Sequence, residues 1–460
     1  MDNNFNVDKL GKCAVKSPFN LSHNYEEGDD LFDYIEDDER ILYEKTIKCF
    51  NKYKETGEEP VSFEKAGPRE FLFFEPAKTK AAIVTCGGLC PGLNNVIRSI
   101  VHELYYRYRV NKVIGIRYGF EGFIPKYNHP YDELTPESVD NIHMLGGTVL
   151  GSSRGNQNIE DIVDSLVNMN INILFCIGGD GTLKGANEIY KEITKRNLKI
   201  AVAGIPKTID NDIMFIEKSF GFETAVSKAH SILKDAHNEA KGAYNGIALV
   251  KLMGRDSGFI AAHAALSTQE VNFVIVPEMK EFGLYGVRGF LRVLKKRLVE
   301  RHHAMIVVAE GAGQHLFEDS SVEKDASGNI KHKDIGILLK DRITEFFNDQ
   351  NFPFSIKYID PSYIIRSAPA NASDSKFCSQ LAQNAVHGAM AGKTGFVVGI
   401  WNYNFTYLPI ESTVKQRNKI DMNSELWWNV LEATGQPVKM KNEHLFTVSP
   451  QNNLNPKTNN

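Results

Sequence analysis

The stretch IGGDGTLKGANEI, residues 177–189, joins an apolar run to a helical pattern through three glycines and one aspartate. The chain must bend sharply there or lie close to another group, and the glycines remove the side chains that would prevent this. Free backbone amides at the start of a helix also form a site for anions. The stretch therefore indicates either a tight turn or a loop that holds a phosphate group.

On both sides of this stretch, short apolar runs alternate with helical patterns. Four of these runs are NILFCIGGDG (172–181), KIAVAGIPKT (199–208), GIALVKLMG (246–254) and AMIVVAEGAG (304–313). Runs of this kind are typical of buried parallel strands, and ligands of open α/β sheets bind beyond the carboxyl ends of the strands. The sequence therefore predicts a doubly wound α/β fold with mainly parallel sheets.

The composition excludes several classes of protein. A formal net charge of −4 with 24% charged residues gives no general affinity for nucleic acid, so an anionic ligand needs a local site. The first residues are polar and no apolar run approaches about 18 residues, so we expect neither a secreted nor a membrane-spanning protein. The six cysteines are too few and too scattered for a disulfide framework, which favours a reducing cytoplasm.

The two ends of the chain differ from the rest in composition. Residues 1–75 contain the acidic stretch EEGDDLFDYIEDDE (26–39) and are expected to form an extension outside the core, solvated or docked on a partner. The last stretch, SPQNNLNPKTNN (449–460), is polar and rich in asparagine, which is typical of a tail without fixed structure.

Three predicted strands end in residues suited to a bound phosphate. TCGGLCPGLNNVIRS (85–99) turns into a helix through glycines, and in GGTVLGSSRGN (146–156) Arg154 can form paired bonds to phosphate oxygens. A simple turn and an exposed loop arginine are the alternatives for these two segments. In the opening stretch, Asp180 would repel a phosphate unless a cation lay between them, and magnesium would reconcile the two.

The segment PKTIDND, residues 206–212, is the most informative of the strand ends. Lys207 and Thr208 precede two acids, Asp210 and Asp212. Phosphoryl transfer needs an alcohol acceptor whose proton can leave, and a carboxylate in hydrogen-bond reach can accept that proton. The alternative, a turn stabilised by these side chains, would leave the lysine and both acids without a role.

Seven motifs in this order resemble those of the phosphofructokinase family, and the resemblance covers about residues 80–400. The motifs are GGLCPGLN (87–94), GSSRG (151–155), GGDGT (178–182), PKTIDND (206–212), MGRDSGF (253–259), AEGAG (309–313) and YIIRSAPANASD (363–374). GGDGT also occurs in NAD kinases and diacylglycerol kinases, but those families lack the TIDND and MGR segments.

The resemblance implies phosphoryl transfer to the 1-hydroxyl of fructose 6-phosphate, with Asp210 as the base and Mg²⁺ on Asp180. The residues implied in catalysis are Asp210, Thr208, Asp212, Arg154 and Lys207. Those implied in ATP binding are Gly88, Arg154, Gly155, Gly179, Asp180, Gly181 and Thr182. Those implied in binding the sugar phosphate are Thr208, Ile209, Asp210, Met253, Gly254, Arg255, Glu310, Lys357, Tyr363, Ile364, Ile365 and Arg366.

The resemblance also implies two Rossmann-like domains and, by analogy, a homotetramer with sites shared between subunits. The expected parts of the chain are an N-terminal extension (1–75), a donor-binding domain (76–221) completed by about 365–415, a sugar-phosphate-binding domain (222–364) completed by about 416–447, and a polar tail (448–460).

Four positions depart from the pattern of bacterial ATP-dependent members. Those enzymes usually carry aspartate at Leu89, glycine at Lys207, histidine at Tyr363 and arginine at Lys357. Lys207 and the long N-terminal segment look more like the branch that contains diphosphate-dependent enzymes and the ATP-dependent enzymes of some protists. These differences do not support bacterial-type allosteric regulation.

The choice of phosphoryl donor depends on Gly181. Diphosphate users commonly carry an aspartate there, which would obstruct the α-phosphate of a nucleotide, whereas glycine leaves the space open. ATP is therefore the predicted donor, and a diphosphate-dependent enzyme is the alternative. A catalytically silent regulatory subunit would be expected to lack Asp210 or Asp180, and both are present.

Overall fold

The computed structural model describes residues 5–19, 21, 34–317 and 331–442. The predicted polar tail, 448–460, and most of the acidic stretch lie outside these residues. The strands are β1 (Asp8–Lys9), β2 (Val15–Lys16), β3 (Arg40–Leu42), β4 (Ser62–Lys65), β5 (Phe71–Leu72), β6 (Lys80–Thr85), β7 (Lys112–Ile116), β8 (Tyr131–Glu133), β9 (Ile173–Gly178), β10 (Ala201–Pro206), β11 (Gly246–Leu252), β12 (Phe273–Ile275), β13 (His303–Ala309), β14 (Ser355–Ile359), β15 (Lys393–Thr394), β16 (Phe396–Trp401) and β17 (Asn404–Pro409). The α-helices are α1 (Ile47–Thr56), α2 (Leu93–His102), α3 (Ile159–Asn168), α4 (Asp180–Lys195), α5 (Phe222–Lys241), α6 (Phe259–Thr268), α7 (Phe290–Arg301), α8 (Ile335–Asn348), α9 (Ser362–Arg366), α10 (Ala372–Met390), α11 (Ile410–Val414) and α12 (Glu425–Thr434).

Two sheets organise the chain. The larger sheet has the order β3-β4-β17-β16-β10-β9-β6-β7-β8, with a parallel centre from β16 to β7 and antiparallel strands at both edges. The second sheet, β12-β13-β11-β14, is parallel throughout. Every residue of β9, β10 and β11 is buried, because parallel strands are covered on both faces. The predicted α/β fold with mainly parallel sheets is confirmed.

The register of the parallel strands brings three strand ends together. Thr85 of β6 lies beside Ile177 of β9, and Gly178 lies beside Pro206 of β10. Because these strands run in the same direction, the loops that follow them emerge side by side at one edge of the sheet. In the second sheet, β11 and β13 likewise end in register with each other.

Two C-terminal helices return to earlier parts of the fold. Helix α10 packs on α2 and β10, and α12 packs on α6 and β12. At the start of α5, the Asp374 carboxylate accepts hydrogen bonds from the Thr224 backbone N–H and hydroxyl, at 2.7 and 2.6 Å. These contacts tie α10 to the first helix of the second sheet, while the domain boundaries themselves stay a prediction.

The described part of residues 1–75 contributes to the core, so the prediction that this segment lies outside the core is wrong for these residues. Strands β3 and β4 extend the larger sheet beyond β17, and Phe63 of β4 is fully buried. The buried Glu64 carboxylate forms ion pairs with Arg69 and with Lys393 of β15. These cations neutralise a charge that would otherwise make burial of β4 unfavourable.

The described helices and cysteines bear on membrane insertion and on thiol chemistry. None of these helices is long and apolar enough to cross a lipid bilayer. All six cysteines are described, and each is an unpaired thiol. Burial raises the pKa of the Cys86 and Cys90 thiols to about 12, which argues against a redox role for either near neutral pH.

Candidate active site

A cleft of about 250 Å³ opens between the loops that follow β6, β9 and β10 and those that follow β11, β13 and β14. The predicted site residues that line it are Gly88, Arg154, Gly155, Gly179, Asp180, Gly181, Thr182, Lys207, Thr208, Ile209, Asp210, Asp212, Arg255, Glu310 and Arg366. The fold thus gathers into one cleft residues that are spread over more than half of the chain.

The glycines after β9 serve different purposes. A Cβ atom at Gly178 would lie 2.1 Å from the Thr182 hydroxyl oxygen, so only glycine fits beneath the first turn of α4. Gly179 is the extended N-cap residue of that helix and offers no side chain to its free amides. A Cβ at Gly181 would meet nothing within 4 Å. The stretch is therefore a tight turn at its start, followed by a helix start whose first residues line the cleft and whose free amides could bind an anion.

Lys207 lies buried where the loops after β6 and β10 meet. Its Nζ donates a hydrogen bond of 2.7 Å to the Gly88 carbonyl. A Cβ at Gly87, whose φ is +85°, would come within 3.3 Å of the same Nζ. Burial lowers the pKa of this lysine. The Arg154 guanidinium lies beside Gly88, so two cationic side chains meet this glycine loop.

The PKTIDND loop is held by its own side chains. The Thr208 hydroxyl donates to Asp212 Oδ1 at 2.7 Å and accepts from the Asp210 backbone N–H at 3.3 Å. Asn211 adopts a left-handed conformation, φ 55°, and its Oδ1 accepts from the Ser219 backbone N–H at 2.7 Å. The side chains of this segment therefore do stabilise a turn, which was the alternative interpretation of the motif. The turn also holds Asp210 at the wall of the cleft.

Asp210 has an environment unlike that of a surface carboxylate. Its Oδ1 is buried and has no hydrogen-bond partner among the described residues. Burial, and then the charges of Asp212 and Glu310, raise the pKa of this carboxyl to about 7, against the opposing charge of Arg366. A carboxylate with a free lone pair and a pKa near neutrality is suited to accept a proton from an alcohol.

The opposite side of the cleft carries two arginines and a glutamate. Glu310 follows β13, and its backbone N–H donates to the Leu252 carbonyl at 2.9 Å. Arg366, at the end of α9, places its Nη2 3.6 Å from Glu310 Oε1. A Cβ at Gly311 would lie 1.8 Å from the Arg255 carbonyl oxygen, so the loops after β11 and β13 pack backbone against backbone. This packing sets Arg255 beside Glu310.

The other residues predicted to bind the sugar phosphate do not line the cleft. Met253 and Ile365 are fully buried in the core. Tyr363 and Ile364 are 82% and 71% exposed on α9, and Lys357 lies on β14 with its Nζ 3.7 Å from a Glu239 carboxylate oxygen. The predicted roles of these residues, and of Gly254, stay predictions.

Arg417 lines the same cleft, although no sequence motif predicted it there. This residue follows α11 and contacts Asp180, Asp212 and Asp256. Its surroundings in sequence, STVKQRNKID (412–421), contain no glycine turn and no apolar run that would mark a site. Only the approach of this distant segment to the PKTIDND loop reveals it.

The acidic residues of the cleft fit one type of magnesium site. Among the described residues, no group of three or more His, Cys, Asp or Glu side chains is arranged to hold a metal ion. Asp180 is a single partly exposed carboxylate at the start of α4. Magnesium in phosphoryl-transfer sites is commonly bound by one or two carboxylates together with substrate phosphates and water, so one carboxylate fits.

The sequence of this chain is similar to those of one protein family, and its fold is similar to solved structures. The Phosphofructokinase family profile matches residues 80–389. The chain is 51% identical to an ATP-dependent 6-phosphofructokinase of Borreliella burgdorferi, over 95% of this chain and 98% of that protein. It is 47% identical to an ATP-dependent 6-phosphofructokinase of Entamoeba histolytica, over 92% of each chain. Among solved structures, a pyrophosphate-dependent phosphofructokinase of Marinobacter aquaeolei has a similar fold, with a TM-score of 0.64 at 17% identity, covering 83% of this chain and 98% of that chain.

Proposed function

The chain belongs to the phosphofructokinase family, and we propose that it transfers the γ-phosphoryl group of ATP to the 1-hydroxyl of fructose 6-phosphate. The products of this glycolytic reaction are fructose 1,6-bisphosphate and ADP. The observation that carries the proposal is the position of Asp210. Its buried, unpartnered Oδ1 lies in a cleft that has the first turn of α4 on one side and two arginines on the other.

The glycine-rich side of the cleft suits the phosphates of the donor. The free amides of the first turn of α4 and the Arg154 guanidinium offer hydrogen bonds to phosphate oxygens. Buried Lys207 supplies a positive charge between these loops, where the reacting phosphoryl group gains negative charge. The open space at Gly181 supports ATP, because the α-phosphate of a nucleotide needs room there.

The opposite side suits the sugar phosphate. Arg255 and Arg366 are cations that can pair with the dianionic 6-phosphate, and Glu310 can accept hydrogen bonds from sugar hydroxyls. Asp210 then accepts the proton of the 1-hydroxyl as that oxygen attacks the γ-phosphorus. Thr208 and Asp212 hold the loop in the orientation that this proton transfer needs.

Asp180 is the proposed ligand of Mg²⁺, which arrives with the nucleotide. When bound, the ion neutralises phosphate charge and helps to orient the donor. The protein side of this site is the carboxylate at the first residue of α4, which faces the cleft beside Gly181.

The proposal is tested by the rate at which fructose 1,6-bisphosphate forms with ATP and with diphosphate, each at saturating fructose 6-phosphate and Mg²⁺. We expect turnover with ATP and little with diphosphate. Preferential use of diphosphate would establish the alternative donor within the same family. Turnover with neither donor would favour a regulatory subunit and would remove the proposed function.

Replacing Arg366 with alanine is expected to weaken binding of the sugar phosphate selectively. A charged hydrogen bond to a phosphate dianion is lost, so KM for fructose 6-phosphate rises about 10- to 100-fold while KM for ATP changes little. Steady-state kinetics with each substrate varied in turn measure both constants. Arg292→Ala, at an exposed position of α7, is the control. Equal rises in both KM values with an intact fold would place Arg366 outside the sugar-phosphate site.

The homotetramer and the cytoplasmic location also belong to this proposal. Tyr363 and Ile364, which the family resemblance assigns to the sugar phosphate, are largely exposed in a single chain. That exposure supports an assembly in which these residues face a neighbouring subunit. The unpaired cysteines support a reducing compartment, although some Arabidopsis thaliana relatives of this chain are named as chloroplastic.

A further inference from the structure

Three carboxylates converge on the side chain of Arg417, and two of them, those of Asp180 and Asp212, line the cleft. Its Nη1 lies 2.9 Å from Asp212 Oδ2 and 3.0 Å from Asp256 Oδ2, and its Nη2 lies 3.6 Å from Asp180 Oδ2. The arginine side chain is 27% exposed, and Asp212 is buried. One half-buried guanidinium therefore balances charges that come from α4, from the loop after β10 and from the loop after β11.

We propose that Arg417 is a positioning residue that neutralises these carboxylates in the free protein and competes with the nucleotide's magnesium ion for Asp180. The inference rests on the proposed function, in which Asp180 binds that ion. Arg417 belongs neither to the seven sequence motifs nor to the loops proposed to bind the donor.

The three contacts of the guanidinium differ in strength. Arg417 Nη1 donates a charge-assisted hydrogen bond to Asp212 at 2.9 Å and forms an ion pair with Asp256 at 3.0 Å, whereas the distance from Nη2 to Asp180 exceeds the hydrogen-bond range. Asp180 Oδ2 also contacts Lys184 Nζ at 2.9 Å, one turn along α4. Asp180 is therefore the carboxylate that Arg417 releases most easily, and the other two keep the arginine in place.

The backbone around Arg417 is also anchored. Ile213 and Arg417 form an isolated antiparallel bridge, and the Asn418 N–H donates to the Asp212 carbonyl at 2.8 Å. The Asp212 carboxylate is shared between Arg417 on one oxygen and the Thr208 hydroxyl on the other. The arginine thus reaches the loop of the general base through Asp212, without touching Asp210.

Direct metal binding tests the competition without any catalytic turnover. Binding of Mn²⁺, as a paramagnetic substitute for Mg²⁺, is measured by electron paramagnetic resonance on the nucleotide-free protein. Arg417→Gln removes a competing cation, takes this counter-charge from Asp212 and Asp256, and leaves Asp180 with the Lys184 contact alone, so we expect Mn²⁺ to bind about tenfold more tightly. Arg417→Lys keeps the charge and is expected to bind Mn²⁺ as the wild type does.

Kinetics test the positioning role in the same variants. Arg417→Gln loses the hydrogen bond from the guanidinium to Asp212, which holds the loop that carries Asp210. We therefore expect kcat to fall about 10- to 100-fold, with little change in KM for fructose 6-phosphate. Lys415→Gln removes a positive charge from an exposed position two residues earlier, and we expect wild-type values in both assays.

Two outcomes would overturn the inference. The first is equal Mn²⁺ affinity in wild type and Arg417→Gln, and the second is tighter binding by a folded Arg417→Lys protein. Failure of the proposed function is seen separately, because it would remove turnover from the wild type and leave the Mn²⁺ measurement unaffected.

Discussion

Asp210→Asn is expected to lower kcat by about 10² to 10⁴-fold, with only a modest change in the KM of either substrate. Asparagine keeps the shape of the side chain but has no carboxylate to take the proton of the attacking hydroxyl. The loop itself should persist, because its hydrogen bonds use the Asp210 backbone N–H and the Thr208 and Asn211 side chains. Steady-state kinetics and a thermal melt of the variant measure the two effects.

The pH dependence of kcat/KM provides a second test of Asp210 as the base. Because burial and two neighbouring acids raise the pKa of Asp210 to about 7, the fraction of active base falls as the pH drops through this value. We therefore expect kcat/KM of the wild type to decline below about pH 7, and the residual activity of Asp210→Asn to lack this decline.

The control for Asp210→Asn is Asp341→Asn, the same chemical change at an exposed position of α8. It should leave kcat and the pH profile as they are in the wild type. An Asp210→Asn protein that retains more than half of the wild-type kcat would show that Asp210 is not the base.

The second large effect is expected from Gly181→Asp, which should abolish the use of ATP. The new carboxylate would stand in the space that we assign to the α-phosphate. At about 4 Å and an effective dielectric constant near 20, like charges repel by about 4 kcal/mol, or roughly 10³-fold in rate. Diphosphate has no nucleoside ester to fit there, so its use is expected to be retained or to increase, with Lys207 balancing the added charge.

The backbone at this position accepts the substitution, so the effect can be assigned to the ligand. Gly181 is the second residue of α4, its φ is not positive, and an added Cβ meets nothing within 4 Å. An acidic residue in the first turn also interacts favourably with the helix dipole. Gly181→Ala adds the Cβ without the charge and is the matched control, expected to keep most of the activity with ATP.

The assay compares wild type, Gly181→Asp and Gly181→Ala with both donors at saturating sugar phosphate. Unchanged ATP turnover in Gly181→Asp would refute the placement of the α-phosphate. A wild type that prefers diphosphate would show that Gly181 does not determine the donor in this chain.

The sequence by itself determined the fold class and the loops that form the cleft. Buried parallel strands require continuous apolar runs, and glycines are needed where the chain turns from strand to helix, so both are visible locally. Because parallel strands end at the same edge, the residues after β6, β9 and β10 were expected to meet, and Gly88, Asp180 and Asp210 do line one cleft.

Only the tertiary structure decided two features: the electrostatics of the cleft, and which strands form the edge of the larger sheet beyond β17. Asp210 owes its raised pKa to burial first, then to the adjacent Asp212 and the distant Glu310, and Arg417 reaches Asp212 from about two hundred residues away in the chain. Strand β4 brings a buried Glu64 into the larger sheet, and this charge is neutralised by the neighbouring Arg69 and by Lys393, which lies more than three hundred residues away in the chain. Burial and charge pairing depend on which segments, far apart in the chain, pack together. No local pattern in the sequence shows which segments these are.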